Sequence, residues 1–206
     1  MIMTRTVEFI FDIVSPNGYL AWYPLREIVR RHGAEMVVTP VFLGGMHKLT
    51  GNAPPMLRDA DVKGKVEYSM LEMRRFIEKH GYAKFRLHPQ FPFNSVTFQR
   101  MLLAVDGDAR VRLVETLLPA IWEEGIAVDD AAVIGAMLAS AGFDPQTLLA
   151  ATQDPAIKQR LIDNTEAAVT RGAFGIPTFF VNTGAGAEMF FGKERLGQIE
   201  ELLAVL

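Results

Sequence analysis

Ser15 is the residue whose setting could do chemistry. It follows a run, Val7 to Val14, in which Val7, Phe9, Phe11 and Ile13 alternate with Glu8, Ile10, Asp12 and Val14, so the segment starts half polar and becomes fully apolar. That pattern predicts a strand entering a buried sheet. Ser15-Pro16 then supplies a hydroxyl N-cap and a proline whose fixed φ suits the first helical position, and Leu20, Tyr23, Leu25, Ile28 and Val29 continue at helical spacing. A side chain at such a junction lies beyond the carboxyl end of a strand, beside orphan N–H groups that favour a bound anion. The plainer reading is that Ser15-Pro16 only starts a helix, since Asp144-Pro145 and Asp154-Pro155 repeat the same signal.

Other chemistries are excluded by what the chain lacks. None of its 206 residues is cysteine, so it has no disulfide, no thiolate nucleophile and no thiol of its own for redox exchange. The four histidines, His32, His47, His80 and His88, show no zinc-ligand spacing, and no metal is expected. No His and Asp are evidently placed to activate a serine nucleophile, and an unassisted hydroxyl is a poor one. The net charge is −3 with Lys and Arg scattered, which argues against a nucleic-acid or anionic-membrane partner. No apolar run approaches the roughly 18 residues of a membrane span. Glu8 and Asp12 interrupt the apolar part of the N-terminal stretch, so it does not read as a signal peptide and a soluble cytoplasmic protein is expected.

The elements that must position Ser15 fall into three blocks. The first helix ends at Gly33, and Met36 to Leu43 reads as a second strand, parallel to the first, with Pro40 suited to an edge. From Gly44 to about Gly172 the pattern is helical. Expected helices cover Met56 to His80, Val96 to Val105, Ala109 to Glu124, Ala131 to Ala141, Pro145 to Ala151 and Pro155 to Arg171. Strand signals return at Thr178 to Val181 and Met189 to Phe191, separated by the turn-rich stretch 182–188, and a helix runs from Lys193 to the end. The order is βαβ, a block of helices, then ββα. Two half-units of one sheet, 1–43 and 173–206, flank an inserted helical domain, 44–172.

That order is an α/β, thioredoxin-like fold interrupted by an all-α domain. The sequence resembles the 2-hydroxychromene-2-carboxylate isomerases, relatives of the kappa-class glutathione transferases and, more distantly, of DsbA-type oxidoreductases. The motifs that carry the resemblance span the chain. They are Phe11-Asp12 through Ser15-Pro16 and Tyr19-Leu20-Ala21; Gly51-Asn52; Lys65 to Arg75; Phe93-Asn94-Ser95; Trp122 to Ile126; Phe174-Gly175-Ile176-Pro177-Thr178; and Gly192 to Leu196. In oxidoreductases of this fold the Ser15 position is a cysteine and Gly18 would be its partner. The resemblance implies that the missing thiol is borrowed from glutathione and held by Ser15, which acts as a donor to sulfur. A helix N-terminus and a hydrogen-bond donor both stabilise a thiolate.

The resemblance also implies roles for other residues. Ile176-Pro177-Thr178 matches a cis-proline motif in which the residue before proline pairs through its backbone with the cysteinyl part of glutathione. Lys193 and Glu194, at a helix start, stand where the family usually has an acid that helps bind the γ-glutamyl end. Asn52 becomes a glutathione contact, and Lys48 and Asn94 become donors for charge developing on the substrate. Lys65 and Arg75 serve either substrate binding or structural ion pairs. Met46, Met56, Met70, Met73, Phe91, Phe93 and Phe98 either line an aromatic pocket or are core. Asn17-Gly18 departs from the aromatic-small pair usual after Ser-Pro, and puts a polar Asn17 side chain at the mouth of the site.

The activity implied is cis–trans isomerisation of 2-hydroxychromene-2-carboxylate, or a similar aromatic pyruvate-type compound in aromatic degradation, with glutathione as cofactor and a homodimer as the assembly. Two other readings stand beside it: a kappa-like transferase that conjugates or reduces electrophiles with glutathione, and a non-catalytic, cysteine-free binding module.

Overall fold

The computed structural model describes residues 5–182, 184 and 186–205. Residues 1–4, 183, 185 and 206, which take in parts of the expected turn 182–188 and the end of the expected last helix, lie outside the described residues.

Strand β1 (Thr6–Phe11) leads through helix α1 (Pro16–Arg31) to β2 (Glu35–Pro40). The two strands are parallel, with Phe9 opposite Val38 and Phe11 opposite Pro40. Helices α2 (Leu43–Thr50), α3 (Pro55–Arg58), α4 (Lys65–His80), α5 (Val96–Leu103) and α6 (Gly107–Pro119) follow. A single π-helical turn (Ala120–Glu124) then leads to α7 (Ala131–Ser140), α8 (Pro145–Ala151) and α9 (Pro155–Thr170). The chain returns to the sheet with β3 (Thr178–Asn182) and β4 (Ala187–Phe191), and closes with a 3₁₀ turn (Lys193–Arg195) and α10 (Leu196–Ala204). The sheet order is β2-β1-β3-β4, and β3 is antiparallel to both its neighbours. Pro40, which has no N–H to give a second neighbour, lies as expected in an edge strand.

Alternation along the strands splits the core into two layers. Val7, Phe9, Phe11, Phe179 and Val181 face α1, α6 and α10 in one large cluster with Trp22, Leu117, Trp122 and Ile199. Ile10 and Phe180 point to the other side, onto Val41, Met46 and Ala168 of a smaller cluster. The sheet is covered on both faces, which is why its central strands read as nearly continuous apolar runs.

Several element boundaries differ from the sequence expectation, and in three places the physical reason is visible. The second strand stops at Pro40 and not Leu43, because the Leu43 N–H is taken at 2.7 Å by the Asp12 carboxylate and α2 begins there. The expected helix from Met56 to His80 is two helices. Between them the buried Asp59 carboxylate holds Arg58 and Lys65 at 2.7 and 2.8 Å, and Gly64 adopts φ +80. Those two cations hold the Asp59 carboxyl well below the usual carboxylate range. The expected helix to Glu124 stays α-helical only to Pro119, a residue with no N–H to donate, and widens into the π turn.

Candidate active site

The turn carrying Ser15 is bonded through its main chain to side chains from far along the sequence. Gln99 of α5, fully buried, donates from Nε2 to the carbonyls of Phe11 and Val41 at 2.7 and 2.9 Å, while its Oε1 accepts the Ile13 N–H at 3.2 Å. Trp122 of the π turn donates from Nε1 to the Ile13 carbonyl at 3.1 Å. The turn closes on itself through the Ser15 N–H to the Asp12 carbonyl at 3.1 Å, and the Val14 N–H to Asp12 Oδ1 at 3.1 Å. Buried peptide groups need partners, and here one amide and one indole supply them from 86 to 109 residues away. Burial pushes the Asp12 carboxyl up to about 6, even though the Leu43 N–H and the Val14 N–H both favour its ionised form.

Ser15 caps α1 from an extended conformation, φ −85 and ψ 115, and its Oγ accepts the Gly18 N–H at 3.1 Å. The same oxygen donates to the Ile176 carbonyl at 3.3 Å, so the hydroxyl joins the helix start to the loop before β3. The Ile176–Pro177 peptide is cis, as the resemblance implies. A Cβ at Gly18 would lie 3.4 Å from both Ile176 Cγ2 and Ser15 Cβ, which places the loop directly against the first turn of α1. Asn17, in that same turn, carries a buried Oδ1 with no hydrogen-bond partner.

Three further residues fix the loop. Asn52 donates from Nδ2 to the Phe174 carbonyl at 2.7 Å and accepts the Ala53 N–H at 2.9 Å, so both ends of its amide engage backbone. Gly175 sits so close to the Phe191 ring that a Cβ there would approach it to 2.9 Å. Gly192 donates its N–H to the Pro177 carbonyl at 2.9 Å, which brings the Lys193–Glu194 turn alongside. Lys193 is buried, and its Nζ bonds both Glu72 and Glu194 above the ring of Phe76.

With strand, serine-capped helix and cis-proline loop assembled in this way, the comparison with known proteins has a structural meaning. A family model described as a DSBA-like thioredoxin domain matches residues 6–204. The chain belongs to the DSBA-like thioredoxin family. Among its relatives, the 2-hydroxychromene-2-carboxylate isomerase of Pseudomonas putida is 26% identical over 97% of this chain and 95% of its own length. Human glutathione S-transferase kappa 1 is 28% identical over 98% of this chain and 92% of its own. A solved structure of a 2-hydroxychromene-2-carboxylate isomerase superposes with a TM-score of 0.82 at 25% identity, covering 97% of this chain and 95% of that one. In this DSBA-like chain, a hydroxyl at the start of α1 faces the cis-proline loop, and no cysteine is present to accompany it.

Ser15, Asn17, Asn52, Ile176 and Pro177 are brought together; the remaining candidates stand apart in different ways. Lys193 and Glu194 adjoin the loop through Gly192, but the Lys193 ammonium is committed to its two carboxylates. Lys48 is exposed in the last turn of α2 and forms no ion pair among the described residues. Asn94 is exposed; its Oδ1 accepts the Val96 N–H at 3.0 Å to start α5, and it lines a surface cavity of about 340 Å³ with Gln90, Phe93 and Thr97. Lys65 pairs with Asp59. Met46 and Phe98 are core, Met56 and Met70 are exposed, and Met73, Phe91 and Phe93 are half-buried against the main core cluster, the two phenylalanine rings each 6.0 Å from Trp122.

The sequence offers no sign of Gln99, and it places Asp12 in a family motif without showing that its carboxylate holds the start of α2. Gln99 stands in α5 between Phe98 and Arg100, two neighbours of opposite character, so nothing local marks its amide as buried. Among the described residues, no group of three or more His, Asp or Glu side chains is arranged to hold a metal ion.

Proposed function

We propose that the chain is a glutathione-dependent cis–trans isomerase of 2-hydroxychromene-2-carboxylate or a similar aromatic pyruvate-type compound. The observation that carries this reading is the Ser15–Ile176 hydrogen bond, a hydroxyl at a helix N-terminus set against a cis-proline loop in a chain without cysteine. Relatives named isomerases and glutathione transferases, matched over nearly the full chain, support it.

The donor set fits a thiolate. The Ser15–Ile176 bond, at 3.3 Å, is long enough to be exchanged for a charge-assisted one to sulfur. The first turn of α1 adds N–H groups with no intrahelical acceptor, of which Ser15 Oγ takes only that of Gly18. Glutathione, held at Ser15, Ile176 and Pro177, would supply a thiolate able to add to and leave a conjugated double bond, which would let the bond rotate without net consumption of thiol. Ser15 holds the sulfur's charge, and the Ile176 main chain, presented by Pro177 and fixed by Asn52, orients the cysteinyl part. The Glu194 carboxylate would take the γ-glutamyl end, with the buried Lys193 holding it from behind. Asn17, with its unpartnered acceptor, and the donors Lys48 and Asn94 meet the substrate.

Ultraviolet absorbance of 2-hydroxychromene-2-carboxylate mixed with the purified protein tests this. Conversion to the benzylidenepyruvate that requires added glutathione, with free thiol unchanged at the end, is the expected result. The equal standing of the kappa relatives favours one second reading, a transferase, for which thiol would fall in step with product. No conversion and no thiol loss would remove this compound as the substrate, and absence of glutathione binding in a parallel calorimetric titration would remove both readings.

A further inference from the structure

The buried ammonium of Lys193 has one carboxylate more than it needs. Lys193 is 2% exposed, and its Nζ bonds Glu72 Oε2 from α4 and Glu194 Oε1 from its own turn, with the Phe76 ring 5.0 Å beneath. A buried cation requires a partner anion, and Glu194 alone would meet that need. Glu72 adds a second negative charge, leaving the three side chains at net −1. Both carboxylates keep a solvent-facing side, at 29% and 42% exposure. Glu194 is also folded back over Gly192, where a Cβ would lie 2.5 Å from Oε2, and the Gly192 N–H holds the Pro177 carbonyl. The surplus charge therefore stands at the edge of the cis-proline loop.

We infer that Glu72, acting through Lys193, is a positioning residue that fixes the Glu194 carboxylate and gives this end of the site the unneutralised charge that selects a ligand carrying an ammonium group. The inference rests on the reading above, in which that group is the α-ammonium of the γ-glutamyl residue. It also gives α4, far from Ser15 in sequence, a part in ligand choice. Replacing Glu72 by glutamine leaves Lys193 paired with Glu194 as a neutral couple, so the fold is retained while the attraction is lost.

The test is calorimetric titration of the full chain with glutathione and with its analogue lacking the α-amino group, glutaryl-cysteinyl-glycine. For the natural protein, loss of the amino group is expected to weaken binding about tenfold. Glu72→Gln is expected to weaken glutathione binding about fivefold, to leave the analogue's affinity unchanged, and to be rescued by Glu72→Asp. Glutathione affinity unaltered in Glu72→Gln would overturn the inference, and so would equal weakening of both ligands, which marks a merely structural role. Failure of the natural protein to bind glutathione at all would remove the functional reading itself, and this inference with it.

Discussion

The Ser15 hydroxyl donates to the carbonyl of Ile176 at 3.3 Å while accepting the Gly18 N–H at 3.1 Å. One side chain thereby closes the joint between the start of α1 and the loop before β3, 161 residues apart. In the proposed reaction the hydroxyl would give up the longer of the two bonds to face a sulfur atom, while the shorter one keeps the oxygen in place.

Ser15→Ala removes the donor and the cap together. Turnover is expected to fall by roughly one to three orders of magnitude, as for loss of one donor to developing charge. Stability is expected to fall by about 1 kcal/mol from the lost cap. Steady-state rates and urea denaturation on the same preparation separate the two effects, and unchanged turnover would strip Ser15 of its role.

Gln99→Leu keeps the volume of the side chain but strands the Ile13 N–H and deprives the Phe11 and Val41 carbonyls of a buried donor. A loss of about 3 kcal/mol or more is expected, because each unmet buried group costs about 1–3 kcal/mol. The urea midpoint checks it; a variant as stable as the parent would mean that water reaches these groups.

Much of this was legible in the sequence. The βαβ and ββα halves follow from apolar runs bounded by turn residues, and the Ser15 cap and the Ile176-Pro177 motif are local signals. What was not legible is non-local. Gln99 reaches the Ser15 turn across 86 residues and Trp122 across 109, so no spacing along the chain reveals them. The break between α3 and α4 depends on Asp59 being buried with two cations, and the start of α2 on a carboxylate from β1's end; burial is not a property of a residue type.

Asp12→Asn tests the raised carboxyl. An ordinary aspartate titrates near 3.8 and Asp12 near 6, so between those values the folded protein holds a proton that the unfolded chain has released. Folded stability from this group is therefore present below about pH 4 and is lost as pH rises through 6. Relative to the asparagine variant, the natural protein is expected to lose about 2 kcal/mol between pH 4 and 7. Melting or urea curves across that range read the difference; a constant offset would show an unshifted carboxyl.

Gly192→Ala forces a side chain onto φ +96 and into the space of the Glu194 carboxylate. The backbone strain is expected to cost about 1–2 kcal/mol, and the displaced carboxylate to raise the KM for glutathione with little change in kcat. A fall in melting temperature with KM unaltered would detach Glu194 from the ligand.

The central claim is that Ser15, at the N-terminus of α1, holds glutathione as a thiolate. Its most direct measurement is the pH titration of thiolate ultraviolet absorbance for glutathione bound to the natural protein and to Ser15→Ala. A free thiol titrates near about 8.5, and the account requires the bound thiol to titrate well below that in the natural protein and to return toward it in the variant. A bound thiol with the same titration in both proteins, at the value of free glutathione, would contradict it.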